Sequence, residues 1–162
     1  MRQMPCDPYR MLTRCLNRWE EYNFLDLGAS IGYTAQRAVM EFPLSRVWAL
    51  EPEPKSFATL KDWIKPLKRV RAFNIAASDT AETRTLHIAQ RAACSSLLPG
   101  NKIGKDYYAD LYEKVNECQV QTVRLDQWAP TVGLDRIDIL KIDCSPKRSN
   151  RAHVTEFLYT SF

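Results

Sequence analysis

The sequence has little of what marks metal, membrane or secretion chemistry. Its five cysteines, Cys6, Cys15, Cys94, Cys118 and Cys144, are odd in number and far apart. No pair has zinc-knuckle or C-x-x-C spacing, so no metal site is expected, and reduced thiols in a cytoplasmic protein are the preferred reading. Histidine is nearly absent, with only His87 and His153. No apolar run approaches the length of a bilayer span, and the segment Met1–Pro8 has no apolar signal core. A strong charge of one sign is lacking too: +4 over 162 residues favours acidic partners only weakly. The densest basic stretch, Lys65 to Arg71, interleaves Pro66, Leu67 and Val70. It reads as a helix end feeding a strand, its cations favoured by the helix dipole. Neither nucleic acid nor membrane is expected as a partner. There is no internal repeat, and the length suits a single core.

What is present is an alternation of short apolar runs and amphipathic stretches. Leu12, Cys15, Leu16, Trp19 and Tyr22 recur at helical spacing and predict a covering helix. Phe24–Leu27, Val47–Leu50 and Val70–Ile75 read as buried strands. Ile31 to Phe42 and Phe57 to Leu67 carry the helical stripes between them. Strand, helix, strand, helix, strand predicts an α/β fold with a doubly wound, mostly parallel sheet. Residues 80–125 read as an insertion with two antiparallel strands, Thr83–Ala89 and Cys118–Leu125. Between them a loop is expected over 91–104, with Ser95 and Ser96 as ordinary loop polarity, and a short helix over Tyr107–Val115. Ile137–Asp143 is a further buried strand, and the sheet is expected to stay incomplete beyond it. An unfinished edge of this kind favours self-association.

The strand exits hold the polar residues. Phe24-Leu-Asp-Leu-Gly-Ala-Ser-Ile-Gly-Tyr33 places Asp26, Gly28, Ala29, Ser30 and Gly32 at a tight turn from strand to helix. Small residues there let backbone amides approach a nucleotide-like ligand. Asp26 and the wide glycine spacing suit a nucleoside carrying an amino acid better than a pyrophosphate. Glu51 follows Asp26 by about twenty-five residues, near the roughly twenty that separate such a turn from a ribose-binding acid. Tyr33 is placed to cover the ligand or to pack as a helix aromatic. Asn74, Ala76 and Ala77 lie where an adenine ring can rest. In a parallel sheet the exits at Asp26, Glu51, Asn74 to Asp79 and Asp143 meet at one rim.

With these residues in view, the chain resembles the FkbM family of class I S-adenosylmethionine-dependent methyltransferases. The resemblance lies in residues 24–33, Val-Trp-Ala-Leu-Glu-Pro-Glu-Pro (47–54), Phe-Asn-Ile-Ala-Ala-Ser-Asp (73–79), Cys-Ser-Ser-Leu-Leu (94–98), Val-Gln-Thr-Val-Arg-Leu-Asp-Gln-Trp (120–128) and Ile-Asp-Ile-Leu-Lys-Ile-Asp (137–143). It implies a Rossmann-like fold and methyl transfer to a hydroxyl of a sugar or small metabolite, with S-adenosylmethionine as cofactor. It places Asp26, Gly28, Ala29 and Gly32 at the methionine part, Glu51 at the ribose, and the loop from Asn74 through Ala76 and Ala77 to Asp79 at the adenine; the adjoining Ser30, Tyr33 and Pro52 are further candidate cofactor contacts. Lys141 and Asp143 face the methyl transfer. Asp143 is the candidate general base; Lys141 either steers the acceptor or pairs with Asp143.

The family pattern breaks directly afterwards. Cys144-Ser-Pro-Lys-Arg148 stands where a Gly and a Glu are usual. The expected organisation is therefore a methyltransferase-like domain over 1–143, with a covering helix in 1–23, and a divergent tail over 144–162. Truncation is the expectation at that point. The alternatives are an inactive cofactor-binding remnant and an NAD-dependent oxidoreductase, although Ser30 departs from G-x-G-x-x-G. His87 is expected to face solvent from its strand.

Overall fold

In a computed structural model, described over residues 7–89, 95–98 and 114–143, the alternation folds into two sheets. The elements are α1 (Pro8–Cys15), β1 (Asn23–Leu27), α2 (Tyr33–Glu41), β2 (Arg46–Leu50), α3 (Pro54–Ile64), β3 (Val70–Phe73), β4 (Ala76–Ala77), β5 (Thr83–Ala89), β6 (Lys114–Val123), α4 (Leu125–Thr131) and β7 (Ile139–Ile142). The first sheet has the order β3-β2-β1-β7, and all its pairings are parallel. The second has the order β4-β6-β5, with β5 antiparallel to β6.

Continuous apolar runs form β1 and β2 because both faces of the parallel sheet are covered. Phe24, Val47 and Ala49 face α2 and α3, where Ala35, Ala38, Phe42 and Leu60 close one core. Leu25, Leu27, Trp48 and Leu50 face the other way, toward Ala129 and Leu134 on and after α4. The helices start on local signals. Asp7 caps α1 by accepting from Tyr9 N, Glu53 caps α3 by accepting from Lys55 N and Ser56 N, and both α1 and α3 have a proline in the first turn.

Several boundaries differ from expectation. The covering helix stops at Cys15, because the Asn17 side chain accepts from Trp19 N and turns the chain; Trp19 is left exposed. The third strand ends at Phe73. Ala76–Ala77 crosses to the second sheet and pairs with Thr122–Val123. The strand expected over Cys118–Leu125 begins at Lys114 and ends at Val123, so Val115 is strand, not helix. Leu125 opens α4, a short helix that the sequence pattern did not reveal. The last strand is Ile139–Ile142. Within the expected loop, Ser96 bridges back to His87. The expected helix from Tyr107, the remainder of that loop and the tail from Cys144 lie outside the described residues.

Candidate functional site

The parallel register brings the exits of β3, β2, β1 and β7 to one rim, and the turn after β1 lies there. Gly28 (φ 76°), Ser30 (φ 51°) and Gly32 (φ 100°) are all left-handed. That conformation favours glycine at 28 and 32 and strains Ser30. At Gly32 space is also short, since a Cβ would meet Leu60 Cδ1 at 2.8 Å. Four of the turn's amides point inward. Gly28 N and Ala29 N both donate to Leu50 O at 3.0 Å, Gly32 N donates to Ala29 O, and Ser30 N donates to Glu51 Oε2 at 2.8 Å. The glycines therefore shape the path of the turn, whereas the sequence reading had those amides meeting a ligand.

Glu51 is buried and ties the first two exits together. Its Oε1 accepts from Glu53 N at 2.8 Å, and its own N–H donates to Phe73 O. Burial raises its pKa, against the two amide bonds that favour the charged form. Each carboxylate oxygen keeps a further lone pair. Asn74 fixes the same corner by donating to Glu51 O at 2.8 Å and Pro52 O at 3.0 Å.

Asp26 is fully buried beside Lys141 in the β1–β7 register. Lys141 Nζ lies 2.9 Å from Asp26 Oδ1 and donates to Gly28 O at 2.7 Å. Asp26 Oδ2 has no hydrogen-bond partner among the described residues. Burial lifts the Asp26 pKa, and the Lys141 charge opposes that. Asp143 is held by its N–H to Leu27 O at 3.0 Å, while its carboxylate stands in solvent, 3.8 Å from Lys141 Nζ.

The rim thus assembles Asp26, Gly28, Ala29, Ser30, Gly32, Glu51, Pro52, Asn74, Lys141 and Asp143. Tyr33 stands exposed beyond the turn, edge-on to Trp63 at 5.1 Å. Ala76 and Ala77 belong to β4. Asp79 accepts from Ser78 Oγ, and its carbonyl accepts from Arg124 toward the second sheet. Ser95 Oγ accepts from Ala89 N and Ser96 Oγ from Leu98 N, as loop residues do. His87 corrects its expectation. It is three-quarters covered and sits 2.8 Å from Glu117, because antiparallel pairing sets the two side chains opposite each other.

Two neighbours went unnoticed in the sequence. The Tyr9 phenol on α1 is pushed up to about 12 by burial and then by the Asp26 charge, and it donates to Thr34 O. The Cys118 thiol on β6 is raised by burial and by Glu53. Asp7-Pro8, a helix start, was the available sign for Tyr9. For Cys118 the alternation of β6 signalled only a face. Cys15 and Cys118 are free thiols. Among the described residues no His, Cys, Asp or Glu group could hold a metal ion, and no helix is long and apolar enough to cross a membrane.

A parallel sheet with a left-handed turn after its first strand and an acid after its second is the frame of a nucleoside-binding α/β protein. The Methyltransferase FkbM domain matches residues 26–144, and the chain belongs to that family. It is 27% identical over 161 residues to the 2-O-methyltransferase NoeI of Sinorhizobium fredii (strain NBRC 101917 / NGR234), covering 85% of this chain. The chain spans 62% of that relative's length. Two solved structures are similar in part. A precorrin-6y C5,15-methyltransferase from Geobacter metallireducens GS-15 is 21% identical, with a TM-score of 0.34 over 40% of this chain and 35% of that one. The YcgJ protein of Bacillus subtilis is 12% identical, with a TM-score of 0.35 over 77% and 65%.

Proposed function

We propose that the chain is an S-adenosylmethionine-dependent methyltransferase acting on a hydroxyl of a sugar or other small metabolite. One observation carries the choice of cofactor: the rim offers carboxylate acceptors, while the amides of Gly28, Ala29, Ser30 and Gly32 are already bonded within the protein. Among the described residues Asp26 Oδ2 is buried without a donor, and each Glu51 oxygen, with one amide bonded to it, keeps a further lone pair. These suit a ligand presenting an ammonium and two ribose hydroxyls. A pyrophosphate needs N–H donors and is repelled by this carboxylate-rich rim.

In this reading Asp26 meets the ammonium, and Gly28, Ala29, Ser30, Gly32 and Tyr33 line the amino-acid part. Glu51 accepts from the ribose beside Pro52. Asn74, Ala76, Ala77 and Asp79 border the base. S-adenosylmethionine supplies an electrophilic methyl group on a sulfonium. The protein's part is to align the acceptor hydroxyl with that methyl group and to exclude water. Asp143, solvent-facing at the end of β7, takes the hydroxyl proton as general base. Lys141 completes the site from the same strand. The name of the relative from Sinorhizobium supports oxygen as the accepting atom. The free thiols at Cys15 and Cys118 suit a reducing, cytoplasmic setting.

Titration calorimetry on the folded chain tests the cofactor. S-adenosylhomocysteine is expected to bind and NAD to fail. The reverse order would sink the proposal. Transfer of labelled methyl to a panel of sugars then reads the acceptor class.

A further inference from the structure

We infer that Lys141 is a positioning residue for the cofactor. Its ammonium fastens the glycine turn and holds Asp26 ready to receive a ligand ammonium, and it does not meet the methyl acceptor. The inference rests on reading this rim as an S-adenosylmethionine site.

The geometry is that of a clamp. Parallel pairing of β1 with β7 sets Lys141 beside Asp26. An ammonium has three donors. Here one reaches Gly28 O at 2.7 Å and one faces Asp26 Oδ1 at 2.9 Å; Asp143 Oδ2, at 3.8 Å, is beyond hydrogen-bond length. Gly28 is the first left-handed residue of the turn, so the lysine holds the carbonyl at the point where the chain changes hand. With only a quarter of its side chain exposed, Lys141 has little reach toward an acceptor.

The electrostatics run the same way. A carboxylate as buried as Asp26 favours its neutral form unless a counter-charge is near. Around it stand Lys141 on β7, Asp143 just after it and Tyr9 on α1, and Lys141 is the cation among the groups acting on it. Burial raises the pKa of Glu51, just after β2, and the same lysine's charge is among the smaller influences opposing that rise. One ammonium thus supports both acids that the cofactor needs ionised. A neutral Asp26 would meet the cofactor's ammonium without its charge.

The test uses the full chain with Lys141→Met, Lys141→Gln and Lys141→Arg, each checked for a cooperative melt. In the free protein, carboxyl NMR follows the Asp26 titration. The two neutral variants are expected to move its midpoint upward, and Lys141→Arg to keep it near wild type. An unmoved midpoint overturns the inference whether or not any cofactor binds. Calorimetry with S-adenosylhomocysteine is expected to show about a ten- to hundred-fold loss in the neutral variants, largely recovered by arginine. That loss should grow as pH falls. Intact cofactor affinity with a raised acceptor KM would also overturn it, by moving Lys141 to the acceptor side. Failure of wild type to bind S-adenosylhomocysteine would instead refute the cofactor reading, and leave the titration to decide the clamp between turn and carboxylate.

Discussion

The two sheets are built by opposite rules. In the parallel sheet, Phe24–Leu27 of β1 and Val47–Leu50 of β2 are buried and apolar except for Asp26, which sits opposite Ala49 and Lys141. In the second sheet, β5 and β6 have one covered face, with Leu86 and Val120, and one polar face. On that polar face Thr83 bonds Gln121, Thr85 bonds Gln119 and His87 meets Glu117, as successive cross-strand pairs. A polar pair there satisfies itself at a surface, whereas a polar group in the first sheet is isolated among hydrocarbon and must be matched one to one. That contrast supports the proposed site at the first sheet: a buried acid such as Asp26 retains an unmet need of the kind a ligand can fill.

The sharpest way to test that division is to remove one buried leucine from each sheet. Leu25→Ala, at the centre of the parallel sheet, is expected to cost about 2–5 kcal/mol in urea unfolding and to abolish S-adenosylhomocysteine binding. Leu86→Ala should also destabilise, but leave cofactor affinity within about threefold once the protein is folded. Equal loss of binding in both variants would erase the distinction.

A second perturbation stays at the rim. Glu51→Ala removes the acceptor for Ser30 N and Glu53 N, and should weaken S-adenosylhomocysteine by about ten- to hundred-fold in calorimetry. Proton linkage gives a related signature. Asp26 and Glu51 both have raised pKa values. Their contributions to stability are therefore fully present below the ordinary carboxyl range and are lost as pH rises through the folded-state values. In denaturant titrations at a series of pH values, Asp26→Asn should flatten this decline. A parallel decline in wild type and variant would show that Asp26 does not titrate out of register.

Smaller effects mark the limits of the comparison. Glu53→Ala removes the cap of α3 and should cost about 1 kcal/mol by thermal melting. Gln121→Ala, on the self-satisfied polar face, should change stability by no more than about 0.5 kcal/mol. A larger loss there would mean that the ladder of polar pairs is structurally required.

Much of the parallel sheet was readable in the chain because its signals are local. Apolar runs at Phe24–Leu27 and Val47–Leu50, glycines at 28 and 32, and Pro54 after Glu53 each act within a few residues. Asp26 and Glu51 stood out as acids at the ends of apolar strands. Other features depend on partners remote in sequence. Ala76–Ala77 leaves the third strand for Thr122–Val123, and Tyr9 reaches Thr34. Neither pairing has a periodicity to announce it. α4 escaped notice because seven residues, with Pro130 among them, are too few to establish a helical stripe. The internal acceptors of the turn's amides were not legible for a related reason: a glycine spacing implies a backbone hand but not which acceptor lies beneath it.

The bond from Lys141 to Gly28 joins residues 113 positions apart. That separation has a kinetic meaning. The turn at 28–32 is made early in synthesis and its adjoining helix can form locally, but the cation that secures it arrives with β7. Long-range closures of this kind are slow steps, because the ordering of the intervening chain must precede the contact that rewards it. The turn at 28–32 and Asp26 would lack their cation until β7 docks, so the ordering of this rim should wait on that step.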